Sequence, residues 1–510
     1  MANPLKKLAG ETAIYGLSTI LARIINFFFV PIYTRILSQG GYGSYAEIMS
    51  YIAVFQVILV LGLETGCFKF AADTANPNKV FSTALSTVTS LSLLFFVVIA
   101  LFSPNIASAM GYPGLSRMIL YVGGILALDS VTAILFARLR QQQKALKFAL
   151  FKSIKILSEL GFNLLLFFAL PKYFAKHPQS FLSNLVPTQI DFSYIIFAVF
   201  LSCIVCFILF IPDLLKIRFG LDKSLWKRMM IYSLPLMIAN LPGIINESAD
   251  RFLFRFLVGD GYTGGGWSAD LGVYQAAVKL AVIMNLFIQM FKYAAEPFFF
   301  ARYKESGSKE LYAKVMEYFV IFCMLIFLGM VFYVDIIGLI LGSNFRTALG
   351  TLPIILLSYI IVGILYNVSM WYKLSGQTKY AITITLLGLA ITIIGNLIFM
   401  PRFSYWASAW VHLFSCLIML IYSTLLGAKY YPIPYEWKKI IQYIFVAIGL
   451  YLLSEAVMYG ISKIGGGSMS EGNSGFLIIK LTINTILILL YIAYIELNTK
   501  LVRSIVKKKN

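Results

Sequence analysis

The stretch SLPLMIANLPGIINESADRFLFRF (233–256) is apolar enough to enter a bilayer, yet it carries Glu247, Asp250, Arg251 and Arg255. Glu247, Arg251 and Arg255 follow one another at intervals of four, which places them on one helical face. Two chemistries suit this spacing. One is an internal salt-bridge ladder that lowers the burial cost of the arginines. The other is an anion site, because a guanidinium meets a phosphate or carboxylate with two parallel donors. Both can hold if an arriving anion competes for arginines that the carboxylates otherwise neutralise. Pro235 and the pair Pro242-Gly243 are expected to bend or break the helix beneath them.

Other apolar segments carry charge of the same sign. Arg23 lies near the middle of the first segment, with Thr19 and Asn26 completing one polar stripe. Lys155, Glu159 and Asn163 share a face near 145–170. Asn285, Gln289, Lys292 and Glu296 form another, with Gln275 and Lys279 nearby, and Asp129 stands alone in its own segment. A charge at mid-bilayer costs about 2.5–3.5 kcal/mol on insertion scales, so each should face a partner or a water-filled interior. Arg35, Lys152 and Lys480 lie near segment ends and are expected to snorkel. The remaining inventory, Lys155 included, is net cationic and selects an anion, with Arg23, Arg251, Arg255, Lys279 and Lys292 the candidates to bind it. Glu247, Asp250, Asp129 and Glu159 are the carboxylates that could take up a coupling H⁺ or Na⁺.

These residues need elements that hold them in a membrane. The chain has 510 residues, of which 60% are hydrophobic and 13% charged, with a mean hydropathy of +0.83. A soluble domain is about 45–50% apolar and about 25% charged, so soluble, disordered and disulfide-scaffold classes are excluded. Fourteen apolar segments can be read, at about 12–37, 43–66, 80–102, 115–139, 145–170, 191–215, 229–258, 271–300, 311–334, 350–372, 380–400, 403–428, 440–461 and 475–497. They are continuous rather than alternating, so they predict helices and not a barrel. Arg23 interrupts the first, which reads as a span and not a removable signal.

The net charge of +20 follows the connections. One alternate set of loops and both termini hold 27 of the 42 Lys and Arg, and the other set holds six. This asymmetry predicts cytoplasmic termini and an even span count, and it removes the need for a nucleic-acid partner. The five cysteines sit in or beside apolar runs. Cys203 and Cys206 form a C-x-x-C inside a span, and His177 and His412 lie far apart, so packing rather than metal binding is expected.

The chain also echoes itself. Arg35-Ile-Leu37 followed by Gly43-Ser-Tyr45 matches Arg255-Phe-Leu257 followed by Gly272-Val-Tyr274, and Gln142-Gln-Lys144 matches Gln377-Thr-Lys379. Six spans per unit make the repeats parallel, which suits a rocking transporter. The expected organisation is an N-lobe at 1–219, a C-lobe at 220–430, and an extra helix pair with a basic tail at 431–510. The loops are short, and the longest outer one, about 171–190, holds no carboxylate. A polytopic glycan polymerase or ligase is therefore disfavoured.

VPIYTRILSQGGYGSY (30–45) resembles the opening signature of the Wzx-type polysaccharide flippases, in the multidrug/oligosaccharidyl-lipid/polysaccharide exporter superfamily. SLP (233–235), ADRF (249–252) and LGVY (271–274) are similar to that family's second-lobe signature. GNLIFMPRFSYWASAW (395–410) is similar to its connection between spans 11 and 12, except that Phe403, Ser404, Tyr405 and Ser408 stand where glycines are usual. The resemblance implies two six-helix lobes around a central cavity. It implies translocation of an undecaprenyl-pyrophosphate-linked oligosaccharide across the bacterial inner membrane by alternating access, for O-antigen, capsule or exopolysaccharide assembly. It also implies coupling to an ion gradient or potential and no enzymatic activity. By motif position it points to Arg23, and to Arg251 or Arg255, for the pyrophosphate. Expected partners are the lipid-linked oligosaccharide, membrane lipids and other polysaccharide-assembly proteins, with the chain a monomer and without a cofactor. A drug exporter of the same superfamily is the alternative. It would want an anionic or neutral cavity and twelve spans.

Overall fold

The computed structural model describes residues 20–21, 24–25, 27–74, 76–177, 179–217, 219–302, 305–465 and 474–499. Thr19, Arg23 and Asn26 lie outside them. Every regular element among the described residues is helical. The helices are α1 (Val30–Ile36), α2 (Gln39–Val60), α3 (Leu63–Ala72), α4 (Pro77–Ala109), α5 (Ser116–Gln141), α6 (Ala145–Leu164), α7 (Ser193–Leu214), α8 (Lys223–Leu257), α9 (Gly266–Leu280), α10 (Val282–Arg302), α11 (Ser308–Phe332), α12 (Leu352–Val368), α13 (Lys379–Tyr430), α14 (Trp437–Gly465) and α15 (Ser474–Thr499).

Eleven described helices are long and apolar enough to cross a membrane, and α9 with α10, bent by 46° between them, would make a twelfth. The protein is a multi-pass membrane protein. At 1.5 Å per residue, the 52 residues of α13 would run about 78 Å, against a hydrocarbon core of about 30 Å. Its helical path breaks at Ser404, with φ 42° and ψ −125°. The break falls at the second residue of the segment read at 403–428, close to its boundary with the one at 380–400. The segment at 12–37 lies largely outside the described residues, so fourteen remains the expectation of the sequence.

Of the bend or break expected in span 7, the break does not occur. Helix α8 is continuous from Lys223 to Leu257 and does not break at Pro235 or Pro242. Each proline removes one i→i−4 hydrogen bond, and a spanning helix tolerates this when neighbouring groups re-satisfy the backbone. In span 5, α6 runs through a π-turn at Leu165–Ala169 and continues to Lys176 past Pro171. A wider turn of this kind gives a proline ring the room it needs.

Two compact units emerge from the packing. The first comprises 1–275 and 389–408, and the second 276–388 and 409–510. The first packs α2, α3 and α8 with α4 to α7. One core cluster of this unit joins Val60, Leu63, Phe81, Leu135, Phe210 and Met229. In the second, α11 is the central helix, with Val320, Met324 and Leu328 all buried.

Candidate functional site

In the first unit, α2 presents Gln39, Gly43 and Glu47 at intervals of four. A Cβ on Gly43 would lie 1.8 Å from the Ser268 carbonyl oxygen, and one on Gly272 would lie 2.0 Å from that of Gln39. The two glycines paired by the repeat therefore meet backbone to backbone, as small residues do where helices cross closely. Ser233 of α8 plays the matching part at the far end of α2. It is fully buried, and a Cβ on Gly62 would come within 2.6 Å of its carbonyl oxygen. The sequence SLP thus marks a tight crossing between the helices of spans 2 and 7.

One turn beyond Gly43 lies Glu47, which has 0% exposure. Arg255 donates to it from Nε and Nη2, both at 2.6 Å. Tyr112 donates its hydroxyl at 2.6 Å. The guanidinium carbon lies 4.2 Å from the Trp267 ring centroid and 4.8 Å from that of Tyr112. This fork overturns the expected ladder within span 7. The counter-charge of Arg255 comes from span 2, because a buried carboxylate with bidentate geometry outcompetes an exposed one on the same helix. Glu247 is exposed and makes no hydrogen bond or ion pair among the described residues.

Asp250 receives the backbone N–H of Arg251 at 2.8 Å, and its other oxygen lies 3.5 Å from Ser408 Oγ. Arg251 forms no ion pair among the described residues, and its Nε is buried without a hydrogen-bond partner. It acts electrostatically on the hydroxyls of Tyr42 and Tyr45. Of the two span-7 arginines, Arg255 is neutralised and Arg251 is not.

Asp129 is not alone, as the sequence suggests. Lys155 reaches it from span 5 at 2.6 Å. Asn163, two turns along from Lys155, accepts from Tyr33 at 2.9 Å, and Glu159 interacts electrostatically with Tyr33. The stripe read on span 5 is therefore a polar seam to spans 1 and 4. Lys480, near the end of its segment, pairs with Asp335 at 2.8 Å. Lys152 lies over the Phe148 ring at 5.4 Å, and Arg35 turns back to donate to the Pro31 carbonyl at 2.9 Å.

In the second unit, Glu296 accepts from Lys373 at 2.7 Å and from Tyr366 at 2.8 Å. Lys292 lies 4.7 Å from the Tyr366 ring centroid, and Asn285 accepts from Gln289 at 3.2 Å. Lys279 is half-buried.

Glu47, Tyr112 and Asp270 are absent from the sequence reading. Asp270 is fully buried. It accepts the backbone N–H groups of Tyr262 and Thr263 at 2.8 and 2.9 Å, the Thr263 hydroxyl at 2.7 Å and the Ser404 hydroxyl. Ser404 is one of three described non-glycine residues with positive φ, so this serine holds a glycine-like conformation. At the other end of α8, Asp222 caps the helix by accepting from the N–H groups of Ser224 and Leu225, and pairs with Lys79 at 2.7 Å. The Lys79 ammonium and these N–H bonds hold the Asp222 carboxyl well below the usual carboxylate range.

Long helices thus cross at small residues, with charges buried between them. A family profile described as "Polysaccharide biosynthesis protein" matches residues 8–301, more than half of the chain, and the chain belongs to that family. Among solved structures, "Lipid II flippase MurJ, inward closed conformation" is similar with a TM-score of 0.68 at 13% identity, over 94% of this chain and 98% of that one. A MATE protein in complex with MaL6 has a TM-score of 0.52 at 12% identity, over 83% and 96%. A search of curated proteins finds no match.

Proposed function

We propose that the protein carries an undecaprenyl-pyrophosphate-linked oligosaccharide from the inner to the outer leaflet of the bacterial inner membrane, by alternating access, for O-antigen, capsule or exopolysaccharide assembly. It acts as a carrier and not an enzyme, with both termini cytoplasmic. The observation that carries the reading is Arg251. It is a half-buried arginine of the ADRF segment that forms no ion pair among the described residues and whose buried Nε has no partner among them. A charge left in that state inside a membrane protein is held ready for an anion, and a diphosphate matches its fork. Arg23 is assigned to the same ligand by motif position. Arg255 is removed from the pyrophosphate set because Glu47 already occupies its fork. Lys279 and Lys292 remain secondary cations.

Coupling to H⁺, Na⁺ or the membrane potential is part of the proposal. Glu247 and Asp250 are its first candidates, since Asp129 is engaged by Lys155 and Glu159 faces the tyrosines of spans 1 and 2.

The test is surface polysaccharide in cells whose only copy is a variant. Arg251→Ala should abolish export while the protein still inserts and accumulates, and Arg251→Lys should restore part of it, keeping charge without the fork. Normal export in both Arg251→Ala and Arg23→Ala cells would sink the reading. In vesicles, Glu247→Gln and Asp250→Asn that both keep gradient-dependent transport would place coupling elsewhere.

A further inference from the structure

A buried asparagine ties the last two helices to the end of α11. Asn484 of α15 is fully buried. It donates from Nδ2 to the Phe332 carbonyl at 2.9 Å and accepts from the Ser454 hydroxyl of α14. Tyr333 and Thr485 add a hydroxyl–hydroxyl bond of 2.7 Å. One turn before Asn484, on the same face, Lys480 lines a cavity of about 600 Å³. Its walls come from α11, the connection to α12, α14 and α15. Asp335, Arg346, Tyr451, Glu455 and Phe476 share them with Lys480.

The charges of this cavity do not cancel in place. Lys480 and Asp335 neutralise each other at 2.8 Å. Arg346 makes one hydrogen bond, from Nη2 to the Leu341 carbonyl at 3.1 Å. Its Nε is buried without a partner, and among the described residues no carboxylate pairs with it. Glu455 makes no hydrogen bond or ion pair among the described residues. An unpaired guanidinium and an unpaired carboxylate thus line one cavity while standing on separate elements, the turn at Ser343–Thr351 and α14. Arg346 is half-buried with spare donors and Glu455 is exposed on the same cavity, so both are accessible to a ligand. A single ligand satisfies both if it carries a phosphate and an ammonium.

Depth and surroundings favour a lipid. Glu455 is 18 residues from Trp437, or about 27 Å at 1.5 Å per residue, from the end of α14 that bears Lys438 and Lys439. Against a core of about 30 Å, that places it near the opposite boundary, on the side the loop charges assign to the outer face. Its neighbours Leu452 and Leu453, and Ile478 on α15, are exposed apolar side chains of the kind that face acyl chains.

We propose that this cavity binds the headgroup of a phospholipid of the phosphatidylethanolamine class, with the phosphate on Arg346 and the primary ammonium on Glu455. The proposal does not rest on the cargo reading. The assay is native mass spectrometry of the full-length protein titrated with phosphatidylethanolamine, phosphatidylcholine or phosphatidylglycerol. A quaternary ammonium cannot donate to Glu455, so wild type should retain phosphatidylethanolamine about tenfold better than phosphatidylcholine, the scale of one charge-assisted hydrogen bond. Glu455→Gln, which breaks no bond within the protein, should erase that preference and leave phosphatidylglycerol binding unchanged. Arg346→Gln should weaken phosphatidylethanolamine and phosphatidylglycerol alike, and Arg346→Lys, which keeps the charge, controls for folding. Equal retention of all three lipids, or an unchanged preference in Glu455→Gln, overturns the proposal. Displacement of the lipid by an equal concentration of free O-phosphoethanolamine overturns the lipid assignment in favour of a soluble ligand.

Discussion

Replacing Glu47 with glutamine tests whether the span-2 to span-7 fork holds this conformation. Glu47 has 0% exposure and accepts three hydrogen bonds of 2.6 Å. Its partner Arg255 keeps 15% of its side chain exposed. Removing one member of a buried pair costs about 3–5 kcal/mol, because the survivor loses its counter-charge. The variant amide would also turn a donor toward a guanidinium that can only donate. The Trp267 and Tyr112 rings still face Arg255 and offset about 1 kcal/mol by cation–π attraction. The expectation is therefore the lower end, about 3 kcal/mol, or about two decades in an equilibrium constant. A double-mutant cycle in mixed micelles, by denaturant titration of Glu47→Gln, Arg255→Gln and the double variant, reads the coupling. The double variant should be more stable than either single one, since it leaves no charge unpaired. Strictly additive losses, with a coupling below about 0.5 kcal/mol, would refute the fork as a stabilising contact.

Four further outcomes follow from the packing. Gly43→Ala would push a Cβ into backbone atoms of residues 268–272, and should cost more than about 3 kcal/mol, beyond ordinary overpacking, read as lost accumulation of folded protein. Ser404→Gly should be near neutral in thermal melts, trading relief of the positive φ for the lost bond to Asp270, whereas Ser404→Ala should cost about 1–2 kcal/mol because it keeps the strain and loses the bond. The depressed Asp222 carboxyl stabilises the start of α8 at neutral pH, and that stabilisation is lost as pH falls below about 4. Intrinsic-rate-corrected amide exchange at Ser224 and Leu225 should rise on acidification in wild type and be already high, and flat with pH, in Asp222→Asn. Reporter fusions at Asn510 and near Gln179 should read inside and outside respectively, and an outside signal at Asn510 would refute the even span count.

Much of the architecture is legible in the sequence because the bilayer leaves the backbone few choices. Continuous apolar runs give the helices, and the segments near 43–66, 80–102 and 311–334 fall within α2–α3, α4 and α11. The repeat is legible for a similar reason. Gly43 and Gly272 recur because two backbones must pass within contact distance, and only a residue without a Cβ allows it. What spacing cannot give is the partner. Glu247, Arg251 and Arg255 sit at intervals that permit a ladder, but the ion pair forms with Glu47, 208 positions away. A signal was present: Glu47 is a lone acid between Gly43 and Leu63, and an intramembrane acid without a local partner must find a distant one.

The same reasoning sorts the remaining charges by what has already met them. Asp129, Glu47, Glu296 and Asp335 are each engaged by a cation, so these pairs hold helices together and need no ligand. Three described arginines stay without an ion pair while their Nε atoms are buried without a partner; the Nη atoms of Arg138 are taken by Asn78 and the Asp213 carbonyl, which leaves Arg251 in the first unit and Arg346 in the second. Each stands beside a carboxylate that does not neutralise it: Asp250 takes the Arg251 backbone N–H, and Glu455 lines the Arg346 cavity. Held apart from their acids, both guanidinium groups remain able to bind an anion. Arg251 lies in a family signature segment, which suits the cargo diphosphate. Arg346 lies where α14 and α15 join the second unit, a place suited to the surrounding lipid. Neutralising Arg251 should therefore stop export without changing lipid retention, and neutralising Arg346 should change lipid retention first.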